Sequence, residues 1–297
     1  MRLESFPDIE VTINPKLLKK YPELKQSAVI ESFILKAWPL PILGSNYYLP
    51  GMGTTRNEAS PSAINFNGRI VDIFAKSCEV MLAEQEFRNS QVASKRKINT
   101  PFVMALIKNG DSALLVEKLM HSVEPLSARS LDYGFTNSRV YSPRDLLIDF
   151  TEFIADFHSK GLVHGDLHLG NIGFQFREEH PPKKIIFDLE TSFILQDYEL
   201  VSKNRLRADD KKLFEKIDIF ELMARNDLGT FLAYLTDRHF PISEDELLVR
   251  ASKIYLEKRR FSYGMLLGQE FSHELEKEYK RVLKSLRRLD EDYNYSL

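Results

Sequence analysis

The sequence predicts an α+β fold in two lobes, a small β-rich N-lobe followed by a larger, mainly helical C-lobe. Three observations predict it. Between residues 45 and 119, short runs rich in β-branched and aromatic residues flank one charged helix, in the order strand, strand, helix, strand, strand. Beyond Leu119 the apolar residues recur at helical spacing. With 297 residues, 43% hydrophobic and 28% charged, the chain can fill one large or two small cores and is too apolar for a disordered one.

Residues 1–44 read as an N-terminal helical extension, because Leu17, Leu18, Tyr21, Leu24, Val29 and Phe33 keep helical spacing, interrupted near Pro22. The N-lobe occupies 45–119. Its first strands are Asn46-Tyr47-Tyr48-Leu49 and Arg69-Ile70-Val71-Asp72-Ile73-Phe74-Ala75-Lys76, with Asn67-Gly68 as a hairpin signal. Residues 49–68 read as loop, since they collect Pro50, Gly51, Gly53, Asn57, Ser60, Pro61, Asn65 and Asn67. Residues 83–97 read as a charged helix, and 101–108 and 113–119 as strands joined by Lys108-Asn109-Gly110-Asp111. The C-lobe occupies 120–297. Ser142-Pro143 opens a helix whose Leu146, Leu147, Phe150, Phe153, Ile154 and Phe157 share one face until Gly161 stops it. Further helices are expected at 208–224, 228–236, 244–260 and 270–289.

Composition narrows the function. Forty-one Lys and Arg against 43 Asp and Glu leave a net charge of -2, which argues against a general nucleic-acid coat. A single cysteine, Cys78, excludes an intrachain disulfide framework and points to a reducing compartment. Met1 to Asp8 lack the apolar core of a signal peptide, and no apolar run reaches the roughly 20 residues of a membrane span. The expected location is therefore cytoplasmic. Lys280, Arg281, Lys284, Arg287 and Arg288 would suit peripheral contact with the inner face of an anionic membrane. Leu283, Leu286 and Leu289, with the carboxylates nearby, favour a packed helix instead.

The stretch that carries chemistry is Leu162-Val163-His164-Gly165-Asp166-Leu167-His168-Leu169-Gly170-Asn171-Ile172. Apolar residues at both ends can pin the segment in a core while Asp166 and Asn171 project from it. A second apolar strand, Lys184-Ile185-Ile186-Phe187, ends in Asp188. A carboxylate beside a hydroxyl, together with hard oxygen ligands for magnesium, is what phosphoryl transfer requires. His164 reads as a support for its loop, and His168 as a solvent-facing or substrate-side residue.

His164-Gly165-Asp166 with Asn171 five positions on resembles the catalytic loop of the protein-kinase-like superfamily, especially its aminoglycoside, choline and lipopolysaccharide-sugar kinase branches. The resemblance implies a protein-kinase-like two-lobed fold using ATP and Mg2+, with a nucleotide-binding N-lobe and a C-lobe holding the catalytic loop, metal site and acceptor site. It implies that Asp166 orients or deprotonates the acceptor hydroxyl, and that Asn171 and Asp188 ligate magnesium. Lys76 would be the phosphate-binding lysine and Glu86 its ion-pair partner, with Glu84 the competitor, since the two glutamates cannot share a helix face. Leu115-Val116-Glu117-Lys118-Leu119-Met120 resembles the hinge that contacts adenine through its backbone, which implicates Glu117 and Leu119. Gly51-Met52-Gly53-Thr54-Thr55 resembles the nucleotide-covering loop of bacterial kinases that phosphorylate Kdo, a sugar of lipopolysaccharide, and Arg205 and Arg207 resemble the Arg-rich segment of that family. Leu189-Glu190 departs from the Phe-Gly of regulated protein kinases.

The expected function is transfer of the ATP γ-phosphate to a hydroxyl of a sugar, another small molecule or a glycolipid. A Ser/Thr protein kinase is the first alternative, disfavoured because no Ala-Pro-Glu-like anchor follows Asp188. A kinase-fold binding module without turnover is the second, disfavoured by the intact Asp166, Asn171 and Asp188.

Overall fold

The computed structural model describes residues 9–25, 59–66, 69–120, 123–126, 143–177, 180–196, 211–237, 242–259 and 269–294. The chain divides into two units, Met1–Val123 with Gln175–Thr191, and Glu124–Phe174 with Ser192–Leu297.

The first unit is built on an antiparallel sheet of β1 (Ile9–Ile13), β2 (Ala59–Phe66), β3 (Arg69–Glu79), β4 (Val103–Asn109) and β5 (Ser112–Lys118), in the order β1-β4-β5-β3-β2. Alternation gives the sheet two apolar faces. Ile9, Val11, Ile73, Ala105, Ile107 and Val116 lie on one, where Leu17 of α1 (Pro15–Lys20) and Leu24 of the following 3-10 turn (Pro22–Lys25) cover them. Cys78, Leu106, Ala113 and Leu115 lie on the other, against Ala83 and Phe87 of α2 (Val80–Lys95). Lys76 pairs in register with Leu115, so its side chain stands on the α2 face.

Two strands of this sheet differ from the sequence reading. Strand β1 falls inside the stretch expected to be a helical extension, and Ile9, Val11 and Ile13 alternate as a half-buried strand requires. Strand β2 falls inside the expected loop. It is an edge strand, the position in a sheet that tolerates Pro61. The expected strand at 46–49 and the Asn67-Gly68 turn lie outside the described residues.

The second unit is mainly helical. It contains β6 (Val123–Pro125), except for its first residue, then α3 (Pro143–Ser159), β7 (Leu162–Val163) and the start of β8 (Ile172–Arg177). The chain then contributes β9 (His180–Ile186) to the first unit and returns through β10 (Phe193–Ile194) to α4 (Lys211–Asp237), α5 (Glu244–Lys258) and α6 (Gln269–Asn294). The apolar face expected for α3 is buried at Leu146, Leu147, Phe150, Ile154 and Phe157, and Phe150 meets Phe174 edge-on at 4.9 Å. Helix α4 runs unbroken where two helices were expected. At Gly229 a β-carbon would sit 3.1 Å from the Glu278 side chain and the Tyr279 amide, so glycine permits the close approach of α4 and α6.

Residues 175–191 were expected in the C-lobe but pack with the first unit. Asn99 Nδ2 donates to the Lys184 carbonyl at 2.8 Å, the Ile186 amide donates to the Asn99 carbonyl at 3.1 Å, and Asn89 Nδ2 donates to the Leu189 carbonyl at 2.7 Å. Those bonds fix the backbone on both sides of Asp188 to the unit that carries Lys76.

Candidate active site

Each unit gathers one constellation of polar groups. In the first, the Lys76 ammonium lies 2.9 Å from Glu86 Oε2 on α2, 2.7 Å from Asp188 Oδ1 and 3.3 Å from Glu190 Oε2. Helical geometry decides between the two candidate glutamates. Glu86 is on the buried face of α2 with Ala83 and Phe87, whereas Glu84 points elsewhere and binds Lys108 at 3.0 Å. Asp188 adopts a left-handed backbone, φ 52°, which aspartate tolerates better than most residues.

This constellation carries excess negative charge. Burial alone would lower the Lys76 ammonium, but Glu86, Asp188 and Glu190 outweigh it and hold the group well above the usual lysine range. Glu86 is raised by burial and by the neighbouring carboxylates, against the pull of Lys76. Glu117, two residues from Leu115 on the Lys76 face, is pushed up to about 8 by burial first and Glu86 second. Burial pushes the Cys78 thiol up to about 12, so it is not a nucleophile near neutral pH. Oxygens of Glu86, Asp188 and Glu190 lie within 4.8 Å of one another. A compact set of hard oxygen donors with more negative than positive charge fits magnesium chemically.

The two expected hinge residues lie at the C-terminal end of β5. Glu117 is within the sheet, opposite Phe74 of β3 and Val103 of β4, so its side chain and not a free backbone edge is what it offers. The Leu119 amide is already committed to the Asp72 carbonyl at 2.9 Å and is not available to adenine. Gly51, Gly53, Arg205 and Arg207 lie outside the described residues.

In the second unit the His164–Asn171 loop is strung between β7 and β8. Val163, Leu167, Leu169 and Ile172 are buried, while the Asp166 side chain is 57% exposed. Apolar residues turned inward therefore present the carboxylate outward. The Asn171 amide nitrogen donates to the Asp166 carbonyl at 2.9 Å, which directs its own oxygen to the other side. Nδ1 of buried His164 accepts from the Asp166 amide at 3.2 Å, a loop-supporting bond. His168 Nδ1 accepts from the Gly170 amide at 3.0 Å, and Nε2 lies 3.9 Å from Asp166 Oδ2.

Sequence reasoning missed the group that holds this loop. Asp227 of α4 is fully buried and accepts from the His164 amide at 2.6 Å and the Gly165 amide at 2.8 Å. Gly165 has φ 84°, a conformation glycine enters without steric cost, and this turn presents its amide beside that of His164. The available signal was a lone acid leading a helical apolar run, Leu228, Phe231, Leu232 and Leu235, all fully buried. Glu190 was also missed, although Leu189-Glu190 was visible as a departure from the kinase pattern.

No family model matches the sequence, and no curated protein matches it either. Solved structures do resemble the fold. WaaP in complex with acyl carrier protein superposes with a TM-score of 0.52 at 13% identity, covering 92% of this chain and 99% of that one. The BubR1 kinase domain gives a TM-score of 0.42 at 12% identity, covering 93% and 97%, too low a score to add weight. The chain has a protein-kinase-like fold, with a small antiparallel-sheet part and a larger helical part. Among the described residues, no helix is long and apolar enough to cross a membrane.

Proposed function

We propose that this chain is a metal-dependent phosphotransferase that moves the γ-phosphate of ATP to a hydroxyl of a small molecule, with a sugar or glycolipid, such as a lipopolysaccharide-core sugar, as the favoured acceptor class. The observation that carries this reading is the Lys76 ammonium held between Glu86, 10 residues away in sequence, and Asp188, 112 residues away, all in one unit. A lysine so placed offers charge to phosphate oxygens, and Glu86 fixes its direction.

In this reading Asp188, with Glu190 beside it, would hold magnesium, which when bound neutralises phosphate charge, and Asn171 keeps the metal-ligand role that the resemblance implies. Asp166 faces the acceptor. Its carboxylate accepts the hydroxyl proton while the acceptor oxygen forms a bond to the γ-phosphorus. The bond from that phosphorus to the bridging oxygen breaks, and ADP departs with the electron pair. Asp227 keeps the loop backbone fixed throughout, so little reorganisation is required at the moment of transfer.

The small-molecule preference rests on the absence of an Ala-Pro-Glu-like anchor after Asp188, and the sugar preference on the Gly51-to-Thr55 resemblance. The basic run of α6 gives membrane docking little support, because Lys280 bonds Glu276, Arg281 binds Glu278 at 2.8 Å and Arg287 binds Glu244 at 3.3 Å. The test is an acceptor screen with ATP and Mg2+ on the wild-type chain and Asp166→Ala. Transfer by the wild type alone supports the reading, and equal transfer by the variant refutes the role of Asp166.

A further inference from the structure

Behind the Asp166 loop, a line of buried polar groups crosses the second unit. Tyr255 on α5, His158 on α3 and Asp227 on α4 are each fully buried. The direction of every hydrogen bond in the line follows from its loop end. The His164 and Gly165 amides can only donate, so both Asp227 oxygens accept, at 2.6 and 2.8 Å, as a carboxylate. Asp227 Oδ2 also faces His158 Nε2 at 3.1 Å, and an acceptor there requires the imidazole to carry its proton on Nε2. Nδ1 is then a bare lone pair. Its partner at 2.6 Å, the Tyr255 hydroxyl, must donate. Burial holds His158 below the usual imidazole range despite the pull of Asp227, in keeping with a singly protonated ring.

The Tyr255 end is held as firmly as the loop end. The Arg259 guanidinium lies 5.5 Å from the Tyr255 ring centroid and 5.8 Å from that of Phe220, and it pairs with Glu221 through Nη1 at 2.7 Å. Phe271 stacks on Tyr255 at 5.3 Å with an interplanar angle of 8°. The phenol is thus fixed in place with its hydroxyl aimed at one atom.

We propose that Tyr255 is a positioning residue for the Asp166 loop, acting through the ring orientation of His158 and the carboxylate of Asp227. The inference rests on the reading that Asp166 serves the acceptor. Without the hydroxyl, Nδ1 loses its donor and the imidazole, still protonated on Nε2 toward Asp227, loses the second bond that holds its ring. The ring can then tilt, and the Asp227 carboxylate bonded to Nε2 shifts with it against the two amides it holds. Asp166 directly follows Gly165, so a shift at that glycine moves the carboxylate that meets the acceptor.

The experiment uses the full chain and Tyr255→Phe, which keeps the ring and removes one oxygen. Turnover is expected to fall about tenfold while KM for ATP changes by less than about twofold, since loss of geometry at the reacting group affects transfer more than binding. Nitrogen-15 spectra are expected to show His158 protonated on Nε2 in both proteins, with the Nδ1 resonance and the His164 and Gly165 amide resonances displaced in the variant. A lower melting point with unchanged turnover and unchanged amide resonances would overturn the proposal, because Tyr255 would then only stabilise the fold. A wild-type His158 protonated on Nδ1 would overturn it without any variant. If the wild type transfers no phosphate, the phosphotransferase reading falls, while the spectra still decide whether Tyr255 controls the loop.

Discussion

The Lys76 constellation and the Asp166 loop are both polar sites on apolar scaffolds, but they balance their charges in opposite ways. Around Lys76 one ammonium faces Glu86, Asp188 and Glu190, with Glu117 close enough to be raised by Glu86. At the Asp166 loop the buried acid meets donors, and Asp227 satisfies two amides and an imidazole at once. In the proposed function the first is completed by a cation and a phosphate chain, whereas the Asp227 bonds of the second are in place beforehand. Ligand binding should therefore be read at the first and turnover at the second.

The sharpest break of that contrast is Asp166→Ala, which should lower turnover by about a thousandfold or more while leaving affinity for an ATP analogue nearly unchanged. Steady-state kinetics and calorimetry on the same preparation check it. Asp227→Ala comes next. It orphans two buried amides and the His158 donor, so chemical denaturation should show a loss of about 2–4 kcal/mol, with turnover down by about a hundredfold. Lys76→Met leaves Glu86 buried without its counter-charge and should cost about 3–5 kcal/mol of stability if the carboxylates stay ionised, less if Glu86 takes up a proton. Its kcat/KM for ATP should fall about a hundredfold, chiefly through binding.

The smallest effect tests the charge excess directly. Folded Glu117 keeps its proton up to about pH 8, whereas the ordinary glutamate value is 4.5. Between those values the folded state binds more protons, so stability is greatest near the lower limit and is lost as pH rises through the window. Glu117→Gln removes that slope. Just above pH 8 the variant should melt a few degrees higher than the wild type, on a scale of ~2–4 °C per kcal/mol, and below pH 4.5 the two should coincide. A variant that melts lower at every pH would show that Glu117 is favourably paired in the folded state.

What the sequence made legible was local. Asp166 and Asn171 sit five positions apart on one loop, and Lys76 and Asp188 were each read at the end of an apolar run, although β3 continues past Lys76 to Glu79. Glu86 could be separated from Glu84 only once the helix face of α2 was known. Asp227, His158 and Tyr255 lie on three helices, and nothing local marks residues that meet only by packing. Residues 225–227 even fell in the gap between the helices expected at 208–224 and 228–236, whereas α4 runs unbroken through them. Strand β1 carried a period of two, but five residues beside a helical pattern were absorbed into it. Strand β2 was hidden by Pro61, whose tolerance depends on an edge position that the sequence does not display. The β5 end resembled a hinge in its residues, yet ladder pairing and the Leu119 bond to Asp72 are properties of the sheet.

The most direct measurement is calorimetric titration of a non-hydrolysable ATP analogue, with and without Mg2+, into the wild type and Asp188→Asn. Binding that requires Mg2+ in the wild type and is lost or greatly weakened in the variant is the expected result. Binding indifferent to Mg2+, or equal in the two proteins, would contradict the role of the Lys76 constellation as a metal-dependent nucleotide site.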